Sequence, residues 1–479
     1  MSISSIDYIA FLFLSFFVYV FLSPRYKIQF LLLLSIVFCS FFGLVSLINV
    51  FLCISINYIC GLQLSKLHKK SSRRKFLACA VAVNILLLAV YKYLTVIYSF
   101  IDTLPNIFFL TQDTILKDFI IPVGLSFYIF QSISYITDVY EEKIQPEESL
   151  SAFALYILFF PKFLAGPIER SASLLPQFRS IQVLDFERIR YAMLLILWGL
   201  FQKIVIADRL KVFVDAAYAN PHSCFGLTVW IAIIFYSFQI YCDFNGYTDI
   251  ARGSAKLFGV NLSVNFRQPY LAASVQDFWR RWHISLSSWL RDYLYIPLGG
   301  GKSGIKRKVI NLLVVFLVCG IWHGSNWTFV LWGALHGFFV AFEVMLKRFI
   351  PSSFTLNYEN NRHMLVAKTF LTFILVSIGW VFFRAESVWA AVVMLSNGFD
   401  FRTFSLNLQD GLPISQIILS FFLISFVYVV NIAQNSRSLS NWLFSQSLII
   451  RWIIYYGLIY GIILLPGGSG ISNFIYYNF

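Results

Sequence analysis

Long apolar runs separated by short polar segments make up most of this sequence. They lie at residues 8–22, 28–43, 44–64, 76–98, 119–137, 152–165, 191–206, 227–242, 309–322, 327–345, 366–383, 414–432 and 450–465. A protein in water could not bury so much apolar surface, whereas lipid can surround it. Because several runs are too short or too polar for a full crossing, the pattern predicts an all-α polytopic membrane protein with about 11 to 13 membrane helices, some of them re-entrant or interfacial.

The composition excludes other classes of protein. Hydrophobic residues make up 59% of the 479 positions and charged residues only 13%, far below the charge of a soluble multidomain chain. A transmembrane β-barrel would show alternating segments of about ten residues instead of runs of about 17 or more. The net charge of +14 comes from bases between the apolar runs, as the positive-inside rule produces, so no nucleic-acid partner is predicted.

The apolar and basic residues also predict how the chain crosses the membrane. The run over residues 28–64 is too long for one crossing, and Gly43 is a natural place for a turn between two helices. A basic cluster at residues 66–75 is predicted to be cytoplasmic, with Arg25 and Lys27 on the same side two crossings earlier. The N-terminus is then predicted to face outward.

Polar and charged residues crowd between positions 243 and 345, in or beside apolar segments. They include Asp243, Asn245, Asp249, Arg252, Asp277, Arg280, Arg281, His283, Arg291, Asp292, His323 and His336. A charge at mid-bilayer costs about 2.5 kcal/mol or more, so residues of this kind usually have a function. A catalytic site is therefore predicted in this region.

The most specific local pattern lies at residues 320–327, where the sequence is Gly-Ile-Trp-His-Gly-Ser-Asn-Trp, and is followed by Leu-His-Gly at residues 335–337. His323, at the end of an apolar run, is predicted to be catalytic, and a structural histidine is the alternative. On one unbroken helix, His336 would lie about 20 Å away and on a different face. His336 is therefore the second candidate, unless residues 324–326 break the helix.

The segment from Asp277 to Tyr293 is predicted to form one amphipathic helix. Its apolar face carries Trp282, Leu286, Trp289 and Tyr293, and its polar face carries Arg280, His283, Ser287 and Arg291. Such a helix could lie at the membrane interface, with its arginines on lipid phosphates, or it could line a cavity. His283 is a third catalytic candidate, with a structural hydrogen-bonding role as the alternative.

A turn with three glycines, at residues 299–301, follows this segment and leads into a predicted basic loop of Lys302, Lys306, Arg307 and Lys308. The spacing does not match a nucleotide-binding phosphate loop, because Ile296 stands where that motif requires glycine. Basic residues attract anions, so Arg280, Arg291 and Lys302 are candidates for binding an anionic cofactor such as coenzyme A.

A buried histidine in a water-poor cavity suits removal of a proton from a hydroxyl group, because burial disfavours the imidazolium form. Acyl transfer to an alcohol is thus a reasonable reaction, whereas the Gly-x-Ser-x-Gly motif of serine hydrolases is absent from the sequence. A metal site would require His283, His323 and His336 to converge, and no metal is predicted. The alternative of a different class is a transporter, although the internal repeat typical of many transporters is absent.

Several motifs, taken in order, resemble the membrane-bound O-acyltransferases, in particular the branch with bacterial alginate O-acetyltransferase and related cell-envelope acetylation proteins. The resemblance rests on residues 241–251, 265–270, 277–300, 322–324 and 335–337, and extends to residues 161–168, 379–384 and 474–479. It covers most of the chain from residue 120 onward.

The resemblance implies a multi-helix fold with a central funnel or tunnel and a single domain over residues 1–479. Peripheral helices are expected in 1–118, the catalytic core in 119–345 and further helices in 346–479. His323 matches the family's catalytic histidine, and His283 and His336 match other histidines of this branch. The implied reaction moves an acetyl group from cytoplasmic acetyl-CoA across the bacterial inner membrane.

The implied product is an O-acetylated glycan outside the cytoplasm: an alginate-like polysaccharide or, as the alternative, peptidoglycan or another envelope glycan. The implied partner is a periplasmic acetyltransferase of the SGNH type, which would carry its own catalytic serine. The N-terminus of this chain would then lie in the periplasm.

Overall fold

The computed structural model describes residues 1–102, 122–180, 185–302, 304–349, 361–401, 411–436, 438–467 and 474–475, and these residues contain helices and no strand. The helices are α1 (Ile6–Phe21), α2 (Lys27–Ser40), α3 (Leu44–Lys66), α4 (Lys70–Asp102), α5 (Leu125–Tyr140), α6 (Leu150–Leu158), α7 (Ser171–Arg179), α8 (Phe186–Leu200), α9 (Asp208–Ala219), α10 (Gly226–Leu257), α11 (Val275–Arg281), α12 (Ile284–Leu290), α13 (Gly304–His323), α14 (Trp327–Phe349), α15 (Arg362–Arg384), α16 (Val388–Asn397), α17 (Ile414–Ser436), α18 (Leu439–Ser445) and α19 (Leu448–Leu464). Two π-helical segments, Phe201–Ala207 and Arg291–Tyr295, follow α8 and α12.

Seven helices in the described residues are long and apolar enough to cross a membrane. They are α3, α4, the continuous helical stretch Phe186–Ala219, α10, α14, α15 and α17. Only 33% of the apolar stretch of α15 or α17 is buried, so their large hydrophobic side chains are left for lipid to cover. The prediction of an all-α polytopic membrane protein is confirmed, and several other apolar runs form helices of 9 to 17 residues.

The turn predicted in the run over residues 28–64 is also confirmed. Helix α2 ends at Ser40 and α3 begins at Leu44. Gly43 lies between them with a φ of +91°, a backbone conformation that glycine adopts without strain. The predicted boundary at residues 118 and 119 and the last four residues of the 474–479 motif lie outside the described residues.

The chain divides into two compact units. In the first unit, which includes Met1–Met193 and Ala251–Ser263, tyrosines of α1 are tied to the end of α10. The Tyr8 hydroxyl donates to Ser254 Oγ at 3.0 Å, and the Tyr19 hydroxyl donates to the carbonyl oxygen of Phe258 at 3.0 Å. These bonds satisfy the polar ends of two buried aromatic side chains, so α1 is fixed against that helix end.

The motif at residues 161–168 lies in a buried, largely non-helical segment of the first unit. The Lys162 ammonium donates to Gln131, and burial lowers the pKa of Lys162 to about 7. Glu169 accepts from the backbone N–H and the hydroxyl of Ser263, while burial raises the pKa of its carboxyl group. Both polar groups therefore have structural partners in this unit.

In the second unit, which includes Leu194–Ile250 and Val264–Ile475, the intramembrane charges of α10 are paired. Lys203, on the π-helical segment Phe201–Ala207, donates to Asp243 at 2.7 Å and to Asp208 at 2.8 Å. Asn245 donates to Asp249 at 3.2 Å. Each of these carboxylates therefore has a polar partner, and the Lys203–Asp243 ion pair joins the π-helical segment to α10.

Candidate active site

Helices α13 and α14 form an antiparallel hairpin, and the turn between them covers residues 324–326. Glycines let the two helices approach closely, because a β-carbon on Gly333 would lie 3.1 Å from the Cα atom of Gly320. The break that the sequence allows at residues 324–326 is thus present. It brings His323 and His336, which are 13 residues apart, against the same ring, that of Trp332.

His323 is the last residue of α13, and only 2% of its surface is exposed. Its imidazole packs edge-on against the ring of Trp332, with 4.9 Å between ring centroids, and against Phe383 at 5.2 Å. Trp322 completes this aromatic enclosure at 4.8 Å. The walls around His323 are therefore mainly apolar.

His336 also packs against Trp332, at a centroid distance of 5.2 Å, and is fully buried. The indole Nε1–H of Trp279 donates to Nδ1 of His336 at 3.2 Å. An indole N–H can only donate, so Nδ1 is the unprotonated nitrogen of the neutral ring and Nε2 carries the proton. Among the described residues, Nε2 has no hydrogen-bond partner, and it packs against Gly379.

The prediction of one amphipathic helix from Asp277 to Tyr293 is wrong. The segment is broken between α11 and α12 at His283, whose φ of +43° is left-handed. The N–H groups of Ile284 and Ser285 donate to the carbonyl and side-chain oxygens of Asn265. These bonds replace the helical ones that the break removes.

The break moves His283 off the predicted polar face and into the protein interior. Only 1% of its surface is exposed, and its ring packs edge-on against Phe244 at 4.7 Å. Burial lowers the pKa of His283 to about 3, because an imidazolium ion would lose its hydration there. His283 is therefore neutral at physiological pH and packs against α10, whereas His323 and His336 pack around Trp332.

A cavity of about 410 Å³ lies beside the histidine hairpin. Its wall includes Arg280 and Arg291, two of the three predicted cofactor-binding residues, together with Ser287 and Ser288. The third, Lys302, is exposed in the glycine turn and lies outside the lining, where Lys308 supplies the third base instead. The predicted basic loop is partly wrong, since Lys306, Arg307 and Lys308 belong to the first turns of α13.

The cavity follows one face of α13 toward His323. Its lining on this helix comprises Lys308, Leu312, Val315, Phe316 and Cys319, which recur at helical spacing. Lys308 and Cys319 are 11 residues apart, a rise of about 16 Å, and His323 is one turn beyond Cys319. Trp279, which bonds His336, also lines the cavity and packs on Phe316 at 5.1 Å. The cavity therefore runs from the bases Arg280, Arg291 and Lys308 to Trp279, which bonds His336, and to Cys319, one helical turn before His323.

This arrangement suits transfer of an acyl group from an anionic donor. Three bases can hold phosphate groups and the apolar lining of the cavity can hold an elongated chain. The buried imidazole of His323, one helical turn beyond Cys319, could accept a proton from a hydroxyl. In the described residues, no group of three or more His, Cys, Asp or Glu side chains is arranged to hold a metal ion.

Comparison with known proteins identifies the family. Residues 26–385 match the membrane-bound O-acyltransferase family, MBOAT. This chain belongs to the membrane-bound O-acyltransferases. The probable alginate O-acetylase AlgI of Pseudomonas putida is 33% identical over 442 residues, which cover 89% of this chain and 87% of that protein. The peptidoglycan O-acetyltransferase of Helicobacter pylori is 34% identical over 401 residues, which cover 78% and 74%.

A more distant relative is the teichoic acid D-alanyltransferase of Streptococcus thermophilus, 28% identical over 51% of this chain and 63% of that protein. Membership of the O-acyltransferase family makes this protein an acyltransferase, and the family is one of multi-pass membrane proteins. The resemblance that the motifs indicated is therefore confirmed.

The residues that connect the cavity and the histidines of this acyltransferase are not among those predicted from the sequence. Trp279, Trp332 and Trp380 enclose His336, with Trp380 at a centroid distance of 6.1 Å, yet none was singled out. Trp332 and Trp380 lie inside apolar runs and Trp279 lies beside Arg280, positions that are also typical of packing or of an interfacial anchor.

Proposed function

We propose that this protein is an O-acetyltransferase of the bacterial cytoplasmic membrane that passes acetyl groups from acetyl-CoA toward a polysaccharide outside the cytoplasm. The observation that carries the proposal is the cavity along α13, whose lining includes Arg280, Arg291 and Lys308 and extends to Cys319, one helical turn before His323. The names of the relatives, alginate O-acetylase and peptidoglycan O-acetyltransferase, support the acetyl group and the polysaccharide.

The sidedness follows from the charges at the ends of the hairpin. Helix α13 begins with Lys306, Arg307 and Lys308, and α14 ends with Lys347 and Arg348. The positive-inside rule places these ends in the cytoplasm, so the turn at residues 324–326 faces the periplasm. By the same rule the N-terminus is periplasmic. The basic mouth of the cavity then opens toward cytoplasmic acetyl-CoA, and His323 lies nearer the opposite side.

Acetyl-CoA suits the cavity chemically. Guanidinium and ammonium groups bind phosphate oxygens through charge-assisted hydrogen bonds, so the nucleotide end of the donor would lie at Arg280, Arg291 and Lys308. The pantetheine arm would follow the apolar lining of α13. The thioester would then reach the level of Cys319, one turn from His323.

His323 is the better general base of the two clustered histidines. Trp279 occupies the lone pair of His336 Nδ1, and its Nε2 carries the proton, so neutral His336 has no free lone pair to accept another. We assign His336 the role of a hydrogen-bond acceptor for Trp279 that packs against Trp332, and His283 the role of a structural residue. These three histidines and the cavity lie within residues 119–345, the predicted catalytic core.

The enclosure of His323 implies a smaller acetyl acceptor than a glycan chain. A polymer cannot reach a side chain with 2% exposure, so a hydroxyl of a small carrier or of a partner protein would receive the acetyl group first. We propose that a periplasmic acetyltransferase of the SGNH type then acetylates the glycan. Alginate-like polysaccharide is the favoured acceptor, with peptidoglycan as the alternative because one relative bears that name.

The test measures acetyl transfer by the purified protein reconstituted in sealed lipid vesicles, with acetyl-CoA on one side of the membrane and the partner and polysaccharide on the other. His323→Ala should reduce transfer at least about a thousandfold, and His363→Ala, an exposed histidine on α15, should not. Adding the partner should raise polymer acetylation at least about tenfold, a barrier change of about 1.4 kcal/mol. Normal transfer by His323→Ala would reject the base, and full polymer acetylation without a partner would reject the relay.

The same preparation separates an enzyme from a transporter. A transporter would move a substrate across the vesicle membrane without breaking the thioester, so no coenzyme A would be released. Release of the free thiol that depends on His323 is expected for the acyltransferase.

A further inference from the structure

Glu343, on the last turns of α14, holds helix α11 in place. Its carboxylate accepts the backbone N–H of Val275 at 2.6 Å and that of Gln276 at 3.0 Å. These are the first two residues of α11, whose N–H groups have no acceptor within their own helix. Ser274 Oγ accepts the next N–H, that of Asp277, at 3.1 Å. The start of α11 is thus bonded to a side chain of another helix.

The same face of α14 carries His336, Val340 and Glu343, at intervals of four and three residues. Helix α11 lies along this face, because Glu343 bonds its first turn and His336 accepts the Trp279 indole N–H from its second. Val340 lines the donor cavity between these two points. Helix α11 is therefore fastened to α14 at two places, about 10 Å apart along α14.

Helix α11 supplies one wall of the cavity. Its residues in the cavity lining are Gln276, Trp279 and Arg280, and both Trp279 and Arg280 are about one helical turn from Gln276. A small rotation or shift of α11 would move the Arg280 guanidinium away from the basic mouth. The same shift would break the bond between Trp279 and His336 at the other end of the wall.

We propose that Glu343 is a positioning residue, which couples the donor-binding wall to the histidine enclosure by holding α11 on α14. The proposal rests on the proposed function, since it assumes that the cavity holds the acyl donor. Glu343 itself lines neither the cavity nor the histidine enclosure. It acts through Arg280 on donor binding and through Trp279 on the orientation of His336.

The variants are chosen to change this contact from both sides. Glu343→Gln keeps the length of the side chain but replaces one acceptor oxygen with a donor, so it can satisfy only one of the two N–H groups. Val275→Pro removes one N–H instead and leaves Glu343 intact. Proline is tolerated at the first helical position, and Ser274 has the extended backbone (φ −159°, ψ 157°) that a following proline requires. Glu187→Gln, on exposed Glu187 of α8, is the matched control.

The kinetic test compares KM for acetyl-CoA with kcat. Glu343→Gln should raise KM and lower kcat, with a combined loss in kcat/KM of about tenfold or more, and Val275→Pro should give part of the same loss. The double variant Glu343→Gln/Trp279→Phe should lose little more kcat than Trp279→Phe alone, because both changes break one connection. Independent, multiplicative losses would overturn the proposal, as would unchanged kinetics with Glu343→Gln.

A second measurement does not depend on acetyl transfer. Cys319 lines the cavity and is 1% exposed, so a maleimide reports whether α11 covers it. In a Cys60→Ser/Cys79→Ser background, Glu343→Gln and Val275→Pro should each raise the rate of Cys319 alkylation about fivefold or more, and Glu187→Gln should not. If the wild type transfers no acetyl group, the proposed function fails, and the alkylation rates still decide the role of Glu343. Equal rates in wild type and both variants would show that Glu343 does not hold the wall.

Discussion

The Nε2 atom of His336 packs against Gly379 so closely that a β-carbon at position 379 would lie 2.7 Å from it. Gly379 is on α15 and His336 is on α14. Because Gly379 has no side chain, the imidazole of His336 can pack directly against this part of α15. The His336 ring also packs against Trp279 and Trp332, so a displacement of the imidazole would disturb these contacts.

Gly379→Ala should therefore disturb the histidine enclosure. We expect a loss of about 1–3 kcal/mol in stability from overpacking and a fall in acetyl transfer of about tenfold or more. Gly457→Ala on α19 is the control, because no atom lies within 4 Å of its added β-carbon. Thermal unfolding and acetyl transfer of both variants check the prediction, and equal activity of the two would contradict it.

The three bases of the cavity should govern donor affinity. Arg280→Gln, Arg291→Gln and Lys308→Gln should each raise KM for acetyl-CoA about tenfold, the cost of one charge-assisted bond to phosphate, with less effect on kcat. The effect should shrink as salt concentration rises, because salt screens exposed charges. Lys302→Gln is the control, since Lys302 lies outside the cavity lining. An equal rise in KM for Lys302→Gln would mean that general surface charge, and not the cavity, attracts the donor.

The buried state of His283 predicts a specific dependence of stability on pH. Its pKa is about 3 in the folded protein and about 6.5 in the unfolded chain, so the unfolded chain binds an extra proton as pH falls below about 6.5. The stabilisation from neutral His283 is thus complete above pH 6.5 and decreases by about 1.4 kcal/mol per pH unit below it.

His283→Asn removes this titration, and asparagine tolerates the left-handed backbone at this position. Between pH 7.5 and pH 5, the unfolding midpoint should fall less for His283→Asn than for the wild type. His222→Asn, an exposed histidine, should behave as the wild type. The same pH dependence in all three proteins would show that His283 is not the group that titrates.

The proposed sidedness is testable by cysteine labelling. Position 69 should be cytoplasmic and position 2 periplasmic, because three helices, α1 to α3, separate the N-terminus from the basic cluster at 66–75. In a background with Cys79 replaced, Ser2→Cys should react in intact cells with a reagent that cannot cross the membrane, and Lys69→Cys should react only after lysis. Reaction of both positions in intact cells would show that the proposed crossings of α1 to α3 are wrong.

Much of the helical framework is predictable because it depends on local sequence. The turn at Gly43 and the break at residues 324–326 both interrupt long apolar runs with residues that favour a change of direction. His323 was also predictable as a candidate, since a histidine at the end of an apolar run is costly unless it is used. These features need only neighbours within a turn or two.

The break at His283 was not predictable in this way. The spacing from Asp277 to Tyr293 fits one helix, but Asn265, 18 residues earlier, takes the N–H groups that this helix would have used. The choice of Lys308 over Lys302 in the cavity wall has a similar origin. Lys308 is on a helix that faces the cavity, while Lys302 is in a turn that does not.

The sequence by itself determined that this chain is a helical membrane protein, which family it resembles, and which few polar residues could carry chemistry. The length of the apolar runs and the residue types suffice for that, because these properties depend on the transfer of side chains from water to lipid and on contacts within the nearest turns of the chain. Only the tertiary structure decided that His323 and His336 share the Trp332 ring and that Glu343 fastens the wall carrying Arg280. Those contacts join residues far apart in the chain, and their geometry depends on how helices pack, which local periodicity does not specify.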